Sequence, residues 1–238
     1  MAGRNVATLP AKKLTRLKRE RVSDAVFEVL RESILTQVFG PGERLHVAQV
    51  AARLDVSLTP VKDAISRLAA EGLIVIRPRS GTYVAELRPE DVAETFQVRE
   101  ALECRAAEEA VSRLTEKDLI RFRALIADLE KPVETEADRI AHERKNVEFH
   151  TLIVGLAGNR RLSQIYQGLN AHMTIARIHY SREGWLPRME RVREEHRQIL
   201  EALEARSVHA LIDALVRHIR RAADGLVEDL RRKKPAGG

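Results

Sequence analysis

Between Ser57 and Gly72 the chain carries a full set of local instructions for one helix. Ser57 can accept a hydrogen bond from the free N–H groups at a helix start, and Pro60 falls in the first turn, where its missing N–H is no loss. Gly72 supplies the left-handed residue on which helices commonly end. Val61, Ala64, Ile65 and Leu68 recur at helical spacing, so this helix is expected to pack by one face. Just upstream, Asp55-Val56 leaves room only for a tight turn after a short segment whose Val47, Val50, Ala51 and Leu54 share a face. An earlier helix is predicted from Val26, Val29, Leu30, Ile34 and Val38, with Ser23 and Asp24 as candidate caps and Phe39-Gly40-Pro41-Gly42 as its stop. Downstream, Leu73–Ile76 and Thr82–Ala85 are β-like runs joined by Arg77-Pro78-Arg79-Ser80-Gly81, which predicts a hairpin.

Three helices followed by a basic-tipped hairpin describe a winged helix-turn-helix, expected over residues 22–87. After Arg88-Pro89, expected as a linker, the pattern is helical throughout. Helices are predicted near 89–112, 115–131, 135–157, 159–181, 187–206 and 207–232, with breaks at Leu114-Thr115, Lys131-Pro132, Gly158-Asn159 and Gly184-Trp185-Leu186-Pro187. The fold class read here is mainly α: an N-terminal winged helix-turn-helix, then an all-α helical bundle over residues 88–232. Residues 1–21 read as a disordered arm and residues 233–238 as a tail.

Charge is distributed unevenly. The chain's net +6 lies entirely in residues 1–21, which hold seven Lys/Arg against Glu20, while residues 22–88 and 89–238 each balance. A basic arm favours polyanions, either nucleic acid or anionic lipid, although a solubilising tail has the same composition. Lys12, Lys13, Arg16, Lys18, Arg19 and Arg21 interrupt any signal-peptide core, and no apolar run reaches the roughly 20 residues that span a membrane. Cys104 is the only cysteine, so no intrachain disulfide can form. A cytoplasmic protein without a membrane partner is the expectation.

Two groups of residues can carry chemistry. In the first, Ser57, Thr59 and Lys62 surround the start of the predicted third helix, where free N–H groups and a positive dipole end attract phosphate. Arg67 follows on a neighbouring part of the surface, and Arg77, Arg79 and Gly81 form the hairpin tip. Plain capping and a solvated basic face explain the helix equally well; the basic tip with its glycine favours DNA. In the second group, Asn146 and His150 share a helix face, and His196 and His218 lie on two later helices. An amide oxygen with three imidazoles suits a divalent transition metal such as Zn or Ni. Spacing alone does not bring them together, and satisfied or exposed histidines are the commoner outcome. His142, one turn before Asn146 on the same face, could substitute as a ligand but is expected at the surface, and Cys104 in the core. Arg99 and Glu103, four apart, make at least an intrahelical pair.

The segments Pro41-Gly42-Glu43-Arg44-Leu45, Val56-Ser57-Leu58-Thr59-Pro60-Val61-Lys62-Asp63-Ala64-Ile65, Leu68–Leu73 and Arg79-Ser80-Gly81-Thr82-Tyr83-Val84 resemble the DNA-binding domain of GntR-family transcription regulators. The family pattern reads Ser-Arg-Thr-Pro-Val-Arg-Glu-Ala-Leu across the recognition helix. Here Leu58 replaces its first arginine and Lys62 its second. The resemblance adds Arg44 to the expected DNA contacts. Glu148-Phe149-His150, Ala157-Gly158-Asn159, Glu195–Leu200 and His218 resemble the helical FCD-type effector domain of the FadR subfamily. That likeness implies a metal held by Asn146, His150, His196 and His218, and an effector site drawing on Arg99, Glu103, His172 and Arg177. It implies a ligand-responsive regulator, commonly a repressor, that binds a small carboxylate and, as a homodimer, a palindromic double-stranded DNA operator. No catalytic residues are expected. Two other classes were weighed: a metal-dependent hydrolase with an accessory winged helix, and a nonspecific DNA-binding protein. Neither HExxH nor a Gly-rich phosphate loop supports the former.

Overall fold

The computed structural model describes residues 22–36, 38–86, 88–178 and 182–233, and leaves the side chains of residues 136, 170–187 and 233 outside the description. The first unit contains α1 (Val22–Leu35), β1 (Arg44–Leu45), α2 (Val47–Arg53), α3 (Leu58–Ala70), β2 (Ile74–Arg77) and β3 (Gly81–Val84). Its antiparallel sheet has the order β1-β3-β2, with Arg44 opposite Tyr83 and Ile74 opposite Val84.

Local chemistry sets the ends of α3. Ser57 is its N-cap in extended conformation. At the other end Gly72 has φ +71°, Leu73 N–H donates to Leu68 C=O at 2.9 Å and Gly72 N–H to Ala69 C=O at 3.0 Å. These two bonds form a Schellman closure. Asp55, at φ +51°, makes the turn between α2 and α3. Val61, Ala64, Ile65 and Leu68 then meet Phe27, Leu30 and Ile34 of α1 in one core.

Three expectations for this unit change. Val29 and Val38 are exposed, while Phe27 and Leu35 take core positions; the apolar face of α1 is rotated from the one predicted. Ser23 and Asp24 lie inside α1, which already starts at Val22. β1 was not anticipated, since a two-residue strand has no periodicity of its own and exists only because β3 pairs with it.

The second unit holds α4 (Pro89–Arg113), α5 (Glu116–Leu129), α6 (Glu136–Leu156), α7 (Arg160–Ile178), α8 (Arg182–Glu204) and α9 (Val208–Lys233). Arg88 and Pro89 are the N-cap and first residue of α4, so the expected linker is itself the start of a helix. Full capping boxes, Thr115 with Asp118 and Thr135 with Asp138, open α5 and α6. α4 packs against α6, α7 and α9, and Ala106, Ala107 and Ala110 are fully buried along it. The predicted break at Gly184–Pro187 is instead inside α8. Pro187 lies just past the first turn, so the helix runs on at the loss of one backbone hydrogen bond. Cys104 is half-buried rather than in the core, and burial pushes its thiol up to about 11, which keeps it unreactive at neutral pH.

The two units touch through Arg144 of α6, whose Nη2 donates to Glu32 Oε2 of α1 at 2.8 Å. Leu68 has no exposed surface and sits where α3 meets the small core of the first unit. Leu68→Ala is expected to destabilise that unit by about 2–5 kcal/mol, read as an earlier loss of circular dichroism in a urea titration.

Candidate DNA-binding face and metal centre

The first face is built around the N-terminus of α3. Ser57 is exposed and, against the expectation of a cap, makes no side-chain capping bond, so its hydroxyl is not tied to the first backbone N–H groups of α3. Thr59 and Lys62 are exposed beside it. Arg67 is placed differently: its Nη1 donates to Asp24 Oδ1 at 2.6 Å and its Cζ lies 4.0 Å from the Phe27 ring centroid. It pins α3 to α1.

The wing is stiffened from within. Ser80 N–H donates to Arg77 C=O at 3.1 Å across a turn with Pro78 second and Arg79 third. Arg77 Cζ lies 4.8 Å over the Tyr83 ring, whose hydroxyl meets Ser80 Oγ at 2.8 Å. Arg79 adopts φ +60°, a left-handed conformation unusual for an arginine. Glycine would suit that backbone better. Gly81 has φ +140°, and a Cβ there would stand 2.9 Å from Arg44 Nε, so the absence of a side chain lets Arg44 lie across the wing. Arg44 and Arg77 thus share one side of the sheet's tip with Gly81, and Arg79 is exposed in the turn beside them.

The second site lies inside the helical unit. His150 from α6, His196 from α8 and His218 from α9 converge, each offering a ligand nitrogen, with these atoms within 4.8 Å of one another. Their ring centroids are 4.7–5.5 Å apart and all three rings are buried. Phe149 packs edge-on against His150 and His196. Each imidazole is held at Nδ1 by an oxygen: His150 by Glu103 Oε2 at 2.8 Å, His218 by Glu195 Oε2 at 2.9 Å and His196 by Val192 C=O at 2.8 Å. Oxygen acceptors at Nδ1 fix the proton there and leave Nε2 as the lone-pair donor, the usual support of a metal-binding histidine.

Asn146 completes the set. Its Oδ1 lies 2.9 Å from His196 Nε2, while its Nδ2 has Glu143 Oε2 at 3.4 Å. Burial, and then the proximity of His218 and His150, hold His196 well below the usual imidazole range, so the ring is neutral. An amide oxygen and an imidazole lone pair therefore face each other. Ligands around a transition-metal ion with bonds of about 2.1 Å stand roughly 3 Å apart in the same way. The donor set fits a divalent transition metal.

Glu103 lies behind His150. It is fully buried and accepts from Arg99 Nε at 2.6 Å, from Tyr166 Oη at 2.7 Å and from His150 Nδ1. Burial alone would raise its pKa, but Arg99 and then His150 outweigh it and keep the carboxyl far below its ordinary value. Arg99 is also fully buried, and its Nη1 and Nη2 have no hydrogen-bond acceptor among the described residues.

A cavity of about 50 Å³ opens beside the histidines, lined by His142, Asn146, Arg188, His218 and Arg221 among others. His142 is therefore buried, against the expectation of a surface position. Arg188 holds Asp229 at 2.8 and 3.0 Å, and Arg221 holds both oxygens of Glu195. Arg99 and Glu103 do not line this cavity. His172 and Arg177, expected at the effector site, have side chains outside the described residues.

Residues 22–84 match the model of the bacterial regulatory proteins of the gntR family, and residues 94–221 match the FCD domain. The chain belongs to the GntR family. Among similar proteins, the HTH-type transcriptional repressor RspR of Escherichia coli is 29% identical over 86% of this chain and 89% of its own length. The Nta operon transcriptional regulator of Aminobacter aminovorans is 26% identical over 81% and 89%. Of solved structures, E. coli McbR/YncC matches with a TM-score of 0.71 at 22% identity, covering 88% of this chain and 99% of that one. A GntR regulator from Rhodococcus sp. RHA1 also gives 0.71, at 19% identity over 87% and 98%. At these identities the structures establish the fold, a helix-turn-helix unit followed by the helical FCD domain. The chain is a transcriptional regulator of this family, and the hydrolase alternative finds no support among its relatives.

The fold brings Asn146, His150, His196 and His218 together, which their spacing alone did not require, and pairs Arg99 with Glu103. Tyr166 was not anticipated, because a tyrosine on a helix gives no sign of a carboxylate three helices away in the chain. Arg188 was missed as well, since it falls just past the predicted break in α8.

A GntR regulator with this centre should bind about one equivalent of Zn²⁺, and Glu103→Gln should weaken that binding by about 10–100-fold, measured by competition with a chelating dye. The pH dependence follows from His196. Its folded pKa lies below the unfolded value near 6.5, so its contribution is intact above about pH 6.5 and is lost as pH falls toward its folded pKa. The metal-free protein should melt earlier at pH 5 than at pH 7, with a shallower dependence in His196→Leu.

Proposed function

We propose that this protein is a cytoplasmic, ligand-responsive repressor that binds a palindromic operator as a homodimer and releases it when a small carboxylate enters the helical domain. The observation that carries the ligand half is Arg99: a guanidinium with no exposed surface and two nitrogens lacking acceptors among the described residues. Its charge is already paired with Glu103 through Nε, but the two remaining nitrogens carry donors left unfilled, and a carboxylate's two oxygens match a guanidinium's parallel donors. Asn146, His150, His196 and His218 would hold the metal, whose chemistry here is an electrophilic seat for ligand oxygens.

The DNA half rests on strain. Arg79 holds a backbone conformation that glycine would take more easily, which points to selection for its side chain at the wing tip. Arg44, Lys62, Arg77 and Arg79 would contact phosphates, with Ser57 and Thr59 adding hydroxyls and Gly81 allowing close approach. Arg67 contributes by fixing α3. One recognition helix reads few base pairs, so two copies related by a two-fold axis are needed to read a palindrome.

Coupling between the halves has two physical routes. α4, which carries Arg99 and Glu103, begins directly after the wing, and α6, which carries Asn146 and His150, touches α1 through Arg144. An effector acts only through unequal affinity for DNA-competent and incompetent arrangements.

Operator selection followed by competition with unrelated duplex tests this reading. Preference for a palindrome by at least about a thousandfold is expected; equal affinity for all duplexes would leave only a nonspecific binder. A panel of small carboxylates should contain one that weakens operator binding, and a panel without effect would remove the effector role. Arg99→Lys keeps a charge for Glu103 but loses the paired donors, so it should bind operator normally and respond poorly to the acid.

A further inference from the structure

We propose that Leu58 reads the 5-methyl group of a thymine in the operator's major groove. This rests on the reading of α3 as a DNA recognition helix and assigns it one element of sequence choice.

Leu58 is the first residue of α3 and is 46% exposed. The other large aliphatic residues of that helix are not: Val61 and Leu68 have no exposed surface and Ile65 has 4%. Leu54 and Val56, just before the helix, pack against the core of the first unit, and Leu58 does not join them. It stands in a polar setting, between Ser57 and Thr59 and one turn before Lys62. Single exposed leucines are common on protein surfaces. This one occupies the N-terminal position of the helix, the part that meets base edges when a recognition helix enters the major groove.

The chemistry then narrows the partner. A leucine side chain neither donates nor accepts, so against a guanine, adenine or cytosine edge it would strip polar atoms of water and return no hydrogen bond. In the major groove, the thymine methyl is the apolar group a base presents. Lys62, one turn on, can settle on a neighbouring phosphate and hold the helix at the depth where that contact forms.

The test uses the full chain on its selected operator, with thymines replaced one at a time by uracil, which removes only the methyl. At one position in each half-site the wild-type protein should bind the uracil duplex about three- to tenfold more weakly, the effect of one buried methyl group. Leu58→Ala should bind both duplexes alike, with a thermal melt matching wild type because the side chain is exposed. Indifference of the wild-type protein to every uracil substitution would overturn the assignment, as would discrimination that survives in Leu58→Ala. Lack of preference for any sequence would instead overturn the DNA-reading role itself, and the two failures are separated by whether a specific operator is bound at all.

Discussion

The helical domain is organised around one ionised carboxylate. Glu103 carries a charge with no exposure to water, and such a group is tolerated only when donors replace its hydration. Those donors come from three places: Arg99 on its own helix, Tyr166 on α7 and His150 on α6. Burying Glu103 therefore requires α4, α6 and α7 to meet at a fixed depth. Removing Arg99, its charged partner, would leave the carboxylate partly uncompensated, which in buried ion pairs typically destabilises by about 3–5 kcal/mol. The Glu103–His150 contact fixes the tautomer and ring plane of His150, so the histidine cluster takes part of its geometry from the carboxylate behind it.

That arrangement also explains why α4 matters beyond packing. It starts immediately after the wing strand β3 and ends past Glu103, and its buried alanines hold it close to its neighbours. The histidine cluster is joined to α4 by the hydrogen bond between His150 and Glu103. The Arg144–Glu32 pair adds a second contact between the units, but both partners are largely exposed, and exposed pairs are worth little.

The legible parts of the sequence were those governed by short-range chemistry. The stop of α3 follows from Gly72 and its start from Pro60, Ser57 taking the N-cap position without the side-chain bond expected of it; Thr115 stands at a predicted break and Thr135 at a predicted helix start. The winged unit was readable because its order of elements is encoded by such local signals, one after another. Errors fell where the signal was borrowed from elsewhere. Val29 and Val38 have the right spacing for α1, yet Phe27 and Leu35 are the residues that α3 covers. β1 depends on β3 for its existence. Pro187 looked like a boundary, but a helix can absorb one lost hydrogen bond.

For the candidate site the division is similar. The sequence by itself determined that Asn146 and His150 share a face, that Arg99 and Glu103 can pair, and that an arginine-tipped hairpin follows a capped helix, because each is a matter of residues within one turn or one loop. Tertiary structure alone decided that His196 and His218 meet them, that Glu103 and Glu195 support two of the imidazoles while Tyr166 supports Glu103, and that Arg67 pairs with Asp24 of α1. Those outcomes depend on which helix faces press together, and that choice is made by the burial of apolar surface along whole helices, not by any short pattern.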